Sequence, residues 1–380
     1  MTHRERVVAA LAHREPDRVP MDLGSARFTG MVKPACEKLC AYLGFGKAGA
    51  MVDRMQQVVE VDERILQWLD VDVRSVAMGA ADRRGDVELE GNRYRDEWGV
   101  ERVKPPGCVY YDMLSSPLAG EIDASAIARY PWPDPTDSGR VRGLRERALR
   151  IRRETDYALM FNARFHLVHQ TQYLRGFADW YMDLAGDHAL FRCLMDAVLD
   201  VLIEMNRRAL REVGDLVDIV AMGDDIGTQN RPVCSLELYR KILRPYQERI
   251  VAAIREHTRA KILYHTCGSV YNYIPDFIGI GIDALNPIQV SARNMEPERL
   301  KREFGGRIAF WGGVDNLRLL PGGSPDEVRR GTRRMFDIMG PGGGYVLAAV
   351  HNIQPDVPPE NVCALFDEGK RCVYQALALP

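Results

Sequence analysis

The stretch Lys261-Ile-Leu-Tyr-His-Thr-Cys-Gly-Ser-Val270 is an apolar run that ends in a histidine, a cysteine and a glycine. A short run of this kind, closed by a turn residue, reads as a strand buried on both faces. A strand sends residues i and i+2 to one side, so His265 and Cys267 look the same way. Two ligands of a soft metal are presented in this manner. The competing reading is a hydrogen-bonded core histidine beside a packed cysteine.

The same grammar recurs along the chain. Apolar runs at Val19–Leu23, Val73–Met78, Tyr157–Phe161, Val217–Met222, Ile262–Tyr264, Ala284–Leu285, Ile308–Trp311 and Tyr345–Val350 read as eight strands. Helical stretches lie between most of them, among them Val58–Leu69, Phe191–Val213, Leu236–Glu256 and Asp326–Met339. A helix over Thr2–Ala12 precedes them, with Thr2 and Glu5 spaced as a capping box. Eight strands alternating with helices predict an α/β fold, a single (β/α)8 TIM-type barrel over residues 1–380. The polar, alternating segment 85–104 (GDVELEGNRYRDEWGVERVK) predicts a β-hairpin inserted after the second strand. Residues 105–135, rich in Pro, Ser and Asp, read as an extended surface crossing.

With 380 residues, 46% hydrophobic and 27% charged, the composition is that of a globular protein. A formal charge of −2 supplies no global field for nucleic acid or for a membrane surface. The locally basic run 140–154 (RVRGLRERALRIRRE) mixes glutamates and apolar residues at helical spacing and reads as a solvated helix face. The opening Met1-Thr-His-Arg-Glu-Arg has no apolar signal core, and no apolar run approaches the ~20 residues of a membrane span. A cytoplasmic protein with its eight cysteines reduced is expected. Cys36 and Cys40, one helical turn apart with no further ligand nearby, read as packing.

In such a barrel the active site lies where strands end. Asp22, Ser25 and Arg27 follow the first run, and Asn162, Arg164, His166 and His169 the third. Gly223-Asp-Asp-Ile-Gly-Thr-Gln229 follows the fourth, Asn286-Pro-Ile-Gln289 the sixth, Gly312-Gly-Val-Asp315 the seventh and His351-Asn-Ile-Gln354 the eighth. His265, Cys267 and His351 form a candidate zinc set with three protein ligands and an open position. Asp224 and Asp225 are candidate catalytic carboxylates. As consecutive residues they serve different purposes: general acid/base, a histidine-orienting partner, a further ligand, or a helix N-cap. Arg27, Asn162, His166, Gln229, Asn286, Gln289, Trp311 and Asp315 are candidate substrate-binding residues. For Arg27 the partner is a carboxylate or phenolate, and the alternative is a surface arginine. Trp311, Phe165 and Tyr264 line either an aromatic pocket or the core. His166 with His169 is a weaker metal pair. The chain has no G-x-S-x-G elbow and no phosphate-binding G-x-x-x-x-G-K, and Gly342-Gly-Gly344 precedes a strand as a turn.

Six motifs in order, RERVVAALAHREPDRVP (4–20), GDDIGTQ (223–229), HTCGSV (265–270), IDALNPIQ (282–289), FWGGVD (310–315) and GGGYVLAAVHNIQPDVPPENV (342–362), resemble the uroporphyrinogen decarboxylase superfamily over nearly the whole chain. The resemblance implies a (β/α)8 barrel. The arginine-rich early loop of true uroporphyrinogen decarboxylases is replaced by Leu23-Gly-Ser-Ala-Arg27. The second branch, zinc-dependent and corrinoid-linked methyltransferases including O-demethylases, carries a His-x-Cys pair that corresponds to His265 and Cys267. Its coenzyme M members have a late cysteine where this chain offers His351. The resemblance implies transfer of a methyl group from a small methoxylated or methylated compound to a corrinoid (cobalamin) carrier protein. No D-x-H-x-x-G stretch is present, so the corrinoid belongs to a partner. The alternative is a metal-independent decarboxylase or lyase of the same superfamily, in which Asp224 or Asp225 acts with Arg27 on a small acid. A third is a non-enzymatic subunit that docks the corrinoid protein. A homodimer is the common arrangement for such barrels, although no patch in the sequence marks the interface.

Overall fold

Seven of the eight apolar runs form strands of one parallel sheet in a computed structural model that describes residues 1–374. They are β1 (Val73–Ala77), β2 (Ala158–Asn162), β3 (Ile219–Gly223), β4 (Lys261–His265), β5 (Ala284–Asn286), β6 (Ala309–Trp311) and β7 (Tyr345–Val346). Each pairs with the next in parallel, from β1 at one edge to β7 at the other. The first run, Val19–Leu23, makes a single parallel bridge, Met21 to Leu347, instead of a full strand. Pro20 has no N–H to continue a ladder. Even so, Leu347 N donates to Pro20 O (2.8 Å), Asp22 N to Leu347 O (3.0 Å) and Asp72 N to Met21 O (2.9 Å). The segment thus joins the two edges of the curled sheet, as in a TIM-like barrel.

Period-two alternation splits the strands into two sets. Val73, Met160, Ala221, Leu263, Ala284 and Ala309 form one buried cluster, which Val7 and Leu11 of the first helix join. Their neighbours Leu159, Phe161, Val220, Met222, Ile262 and Tyr264 pack into the larger cluster shared with the surrounding helices. The inner set holds many alanines, so the interior is narrow and the helix His3–Leu11 fits against it. That helix begins with the expected capping box of Thr2 and Glu5.

Several expectations change. Val58–Val59 is a strand, paired with Met31–Val32 and Met51–Asp53 in a small antiparallel sheet. The helix predicted from Val58 spans only Glu63–Trp68, because the Asp62 side chain accepts Arg64 N and caps it there. The predicted helix Leu236–Glu256 is interrupted by a π-helical turn, Tyr239–Leu243, before Arg244–Arg255 resumes with Pro245 in its first turn. In place of a lone hairpin at 85–104, Val87–Leu89, Arg93–Arg95, Glu101–Val103 and Asp112–Ser115 build a four-stranded antiparallel sheet between β1 and β2. Its middle turn is set by the Asp96 carboxylate, which accepts Trp98 N and Val100 N (3.0 Å each). The basic run yields the helix Leu144–Glu154, where Arg145 pairs with Asp215 and Arg152 with Asp218. Among the described residues no helix is long and apolar enough to cross a membrane.

At the edge of the sheet, Asp72 is fully buried. Its carboxylate accepts Arg6 Nη1 (2.6 Å), Arg18 Nη1 (2.7 Å) and the backbone N–H of Met21 (2.7 Å). Arg6 and Arg18 are themselves buried and pair outward with Asp17 and Asp70. Removing one partner of a buried ion pair strands the other charges. Asp72→Ala is therefore expected to destabilise the protein by about 3–5 kcal/mol, read as a lower urea midpoint. The exposed pair Arg334–Glu298 should contribute about 0–1 kcal/mol in the same assay.

Candidate metal centre and cavity

His265 ends β4 at inward parity, in register with Gly223 of β3 and Asn286 of β5. A Cβ at position 223 would collide with His265 O, so only glycine fits beside it. The Asn286 side chain fixes the imidazole. Its Nδ2 donates to Trp311 O (3.0 Å), which leaves Oδ1 to accept the Nδ1–H of His265 (2.6 Å). The proton therefore sits on Nδ1, and the lone pair is on Nε2. Nε2 lies 3.5 Å from Cys267 Sγ. Beyond Cys267 the chain turns through Gly268 at φ +92°, backbone against backbone with Gly227 of the preceding loop.

His351, after β7, completes the group: its ring lies 5.5 Å from that of His265, and one ligand atom from each of the three residues lies within 4.8 Å of the others. A tetrahedral zinc ion with bonds of about 2.0–2.3 Å holds its ligand atoms roughly 3–4 Å apart, so the N, S, N set fits after a short inward movement. Burial lowers both imidazole pKa values, that of His351 to about 4, which keeps both rings neutral and able to donate a lone pair. Burial, and then the adjacent Asp225 charge, push the Cys267 thiol well above its ordinary value. A cation between these groups would favour the thiolate.

Asp224 and Asp225 point to opposite faces. Asp224 turns outward and accepts Val168 N and His169 N (2.9 Å each), holding the start of the helix Leu167–Arg175. Burial pushes its carboxyl up to about 7 against the lowering effect of these two amides. Asp225 turns inward. Its Oδ1 accepts Cys267 N (2.7 Å) and lies 3.5 Å from His265 Nε2, while Oδ2 lies 3.8 Å from His169 Nε2.

Asp225, His265 and His351 face a cavity of about 450 Å3 whose walls also include Arg27, Asn162 and His166. The other candidate substrate residues lie outside its walls. Asn286 orients His265. Gln289 Oε1 accepts Gly268 N (2.6 Å), and its Nε2 donates to Gln229 (3.2 Å), so this pair supports the cysteine turn. Trp311 lies in the barrel interior and donates Nε1–H to Asp22 (2.9 Å). Asp315 caps its own turn through Leu317 N and Arg318 N (2.8 and 3.1 Å). Phe165 and Tyr264 belong to the core. His166 and His169 reach the cavity, but among the described residues the one clustered ligand set is His265, Cys267 and His351.

Sequence reading missed the far wall. Tyr94, Asp96, Glu97, Trp98 and Arg102 come from the antiparallel insertion. Glu97 fastens it to the barrel by accepting from Arg140 (2.6 Å) and Arg164 (3.0 Å). Phe28, also unforeseen, stacks on His265 with ring centroids 4.2 Å apart.

Residues 124–372 match the family model described as "Uroporphyrinogen decarboxylase (URO-D)". The chain is 32% identical to a uroporphyrinogen decarboxylase of Thioalkalivibrio sulfidiphilus over 136 residues, 35% of this chain and 36% of the relative. It is 23% identical to the methylcobamide:CoM methyltransferase MtbA of Methanosarcina acetivorans over 184 residues, 46% and 49% of the two chains. It thus spans about a third to a half of the length of the curated relatives it matches. A methyltransferase from Methanosarcina mazei has the same fold, with a TM-score of 0.68 over 98% of this chain and 99% of that one, at 16% identity. With more than half of its length matched by that family model, the chain belongs to the uroporphyrinogen decarboxylase family.

Proposed function

We propose that the protein is a zinc-dependent methyltransferase, which moves a methyl group from a small methoxylated or methylated compound to the corrinoid of a separate carrier protein. The observation that carries this reading is the convergence of His265, Cys267 and His351, whose ligand atoms lie within 4.8 Å of one another beside the cavity, with the His265 tautomer already set by Asn286. Its likeness to methylcobamide:CoM methyltransferases points the same way. The chain acts as one barrel unit, insertion included, in the cytoplasm.

His265, Cys267 and His351 would hold the ion, which as a Lewis acid makes an ether oxygen or thiol a better leaving group. In an O-demethylation the methyl–oxygen bond would break, the methyl group would pass to the partner's reduced corrinoid as acceptor, and the freed oxygen would take up one proton from water. Asp225 faces the cavity beside the ligands and is assigned to that proton transfer. Asp224 supports it from behind by fixing the helix that carries His169.

Protein purified without chelator should carry about one zinc per chain by metal analysis. Cys267→Ala should lose it, and Asn286→Leu should weaken zinc binding roughly 10–100-fold through loss of the His265 anchor. If His351→Ala keeps wild-type zinc affinity, the third ligand is Asp225 or another group. Zinc-loaded protein given cob(I)alamin and a methoxylated aromatic should form methylcobalamin, followed by its absorption spectrum, and metal-free protein should not. Wild type that refuses added zinc yet releases carbon dioxide from a small acid would instead establish the lyase reading, with Asp225 and Arg27 as its working pair.

A further inference from the structure

Arg27 is half-buried in the cavity wall, and among the described residues it has no carboxylate partner. The other arginines of that wall are paired: Arg54 with Glu88 (2.7 Å), Arg102 with Asp96 (3.3 Å) and Arg164 with Glu97 (3.0 Å). Asp53, on the same wall, accepts Gln56 N (2.9 Å) and makes no ion pair with Arg27. A guanidinium drawn out of water without a counter-charge costs free energy.

The loop that carries Arg27 is held from both sides of the barrel. Asp22 accepts Ser25 N (3.2 Å) and Trp311 Nε1 (2.9 Å), Ser25 O accepts Asn162 Nδ2 (2.8 Å), and Thr29 Oγ1 accepts Ala26 N (3.1 Å). The next residue, Phe28, stacks on the ligand His265. The position of the guanidinium is thereby tied to that of the metal ligands. Gln170 lines the same cavity and is 4% exposed, and among the described residues its Nε2 donor has no acceptor; His166 Nδ1, one turn earlier, is likewise unpartnered among them. Aromatic rings of Phe28, Trp98 and Tyr173 supply flat apolar wall, and the volume suits a molecule of single-ring size.

We propose that the cavity takes its substrate as a small organic acid, with the carboxylate on the Arg27 guanidinium and the methyl-bearing end toward His265, Cys267 and His351. The placement of the methyl group rests on the methyltransferase reading; the carboxylate site stands without it. A carboxylate matches the planar fork of arginine with two parallel hydrogen bonds. Asn162 and Trp311 are positioning residues here, because they act on the loop and not on the substrate.

The test is calorimetric titration of metal-free and zinc-loaded protein with 4-methoxybenzoate, 4-methoxybenzamide, guaiacol and methoxyacetate. Wild type should bind one of the two acids, and where that is the benzoate, at least about 10-fold more tightly than its amide. Arg27→Gln should lose roughly 10–100-fold in affinity for the acid with little change for the amide, the range expected for a charge-assisted hydrogen bond. Arg27→Lys should recover part of it. Circular dichroism and the thermal midpoint establish that the variants are folded. Equal binding of acid and amide, tighter binding of guaiacol, no binding of either acid, or an unchanged acid preference in Arg27→Gln would each overturn the proposal. Because the readout is binding, acid recognition without methyl transfer to cob(I)alamin would remove the methyltransferase reading alone. Methyl transfer from a neutral ether, unaffected by Arg27→Gln, would remove this proposal alone.

Discussion

The buried carboxylate of Asp72 ties together parts of the chain that no local interaction would join. It sits just before the edge strand β1, yet it holds the first helix through Arg6 and the segment after it through Arg18 and Met21 N. That segment lies between the first and last strands of the parallel sheet and continues into the loop of Arg27 and Phe28. A charge network at one end of the barrel thus sets the starting point of a loop at the other. Charges out of water are a poor source of net stability, but mispairing them is costly, so such a network specifies one arrangement of the chain.

The centre of the site follows from strand parity. Along β4, Leu263 faces inward, so His265 does too, and Cys267 continues the same side. The opposite parity separates Asp224 from Asp225, one holding a helix and one facing the cavity. These relations were legible in the sequence because they depend only on the period of a strand. The role of Asn286 was not. It depends on the register between β4 and β5 and on a carbonyl of β6, and register cannot be read from either strand alone. Trp311 shares the inward parity, but it stops within the barrel, and its indole N–H goes to Asp22. Parity reports direction, whereas depth depends on where neighbouring strands end.

The far wall was illegible for another reason. Tyr94, Glu97 and Arg102 lie on a sheet whose local pattern is that of an exposed antiparallel meander, and nothing within it states which surface it covers. The contact with the barrel is made by Glu97 meeting Arg140 and Arg164, both of which lie beyond the insertion in sequence. Only the folded arrangement shows that polar residues of the insertion are wall groups. The same holds for Arg27, whose lack of a carboxylate partner among the described residues is visible only once every nearby carboxylate has been placed.

The insertion also divides labour within the molecule. The groups that would hold the metal come from the ends of β4 and β7, where the barrel framework sets their positions. Much of the opposite wall comes from one contiguous segment whose two ends return to adjacent strands. Changes in that segment can reshape the space offered to a substrate while the backbone supporting the ligands stays as it is. A fold arranged in this way can keep one chemistry and diverge in what it accepts, because much of the wall opposite the ligands is written in a separate stretch of the chain.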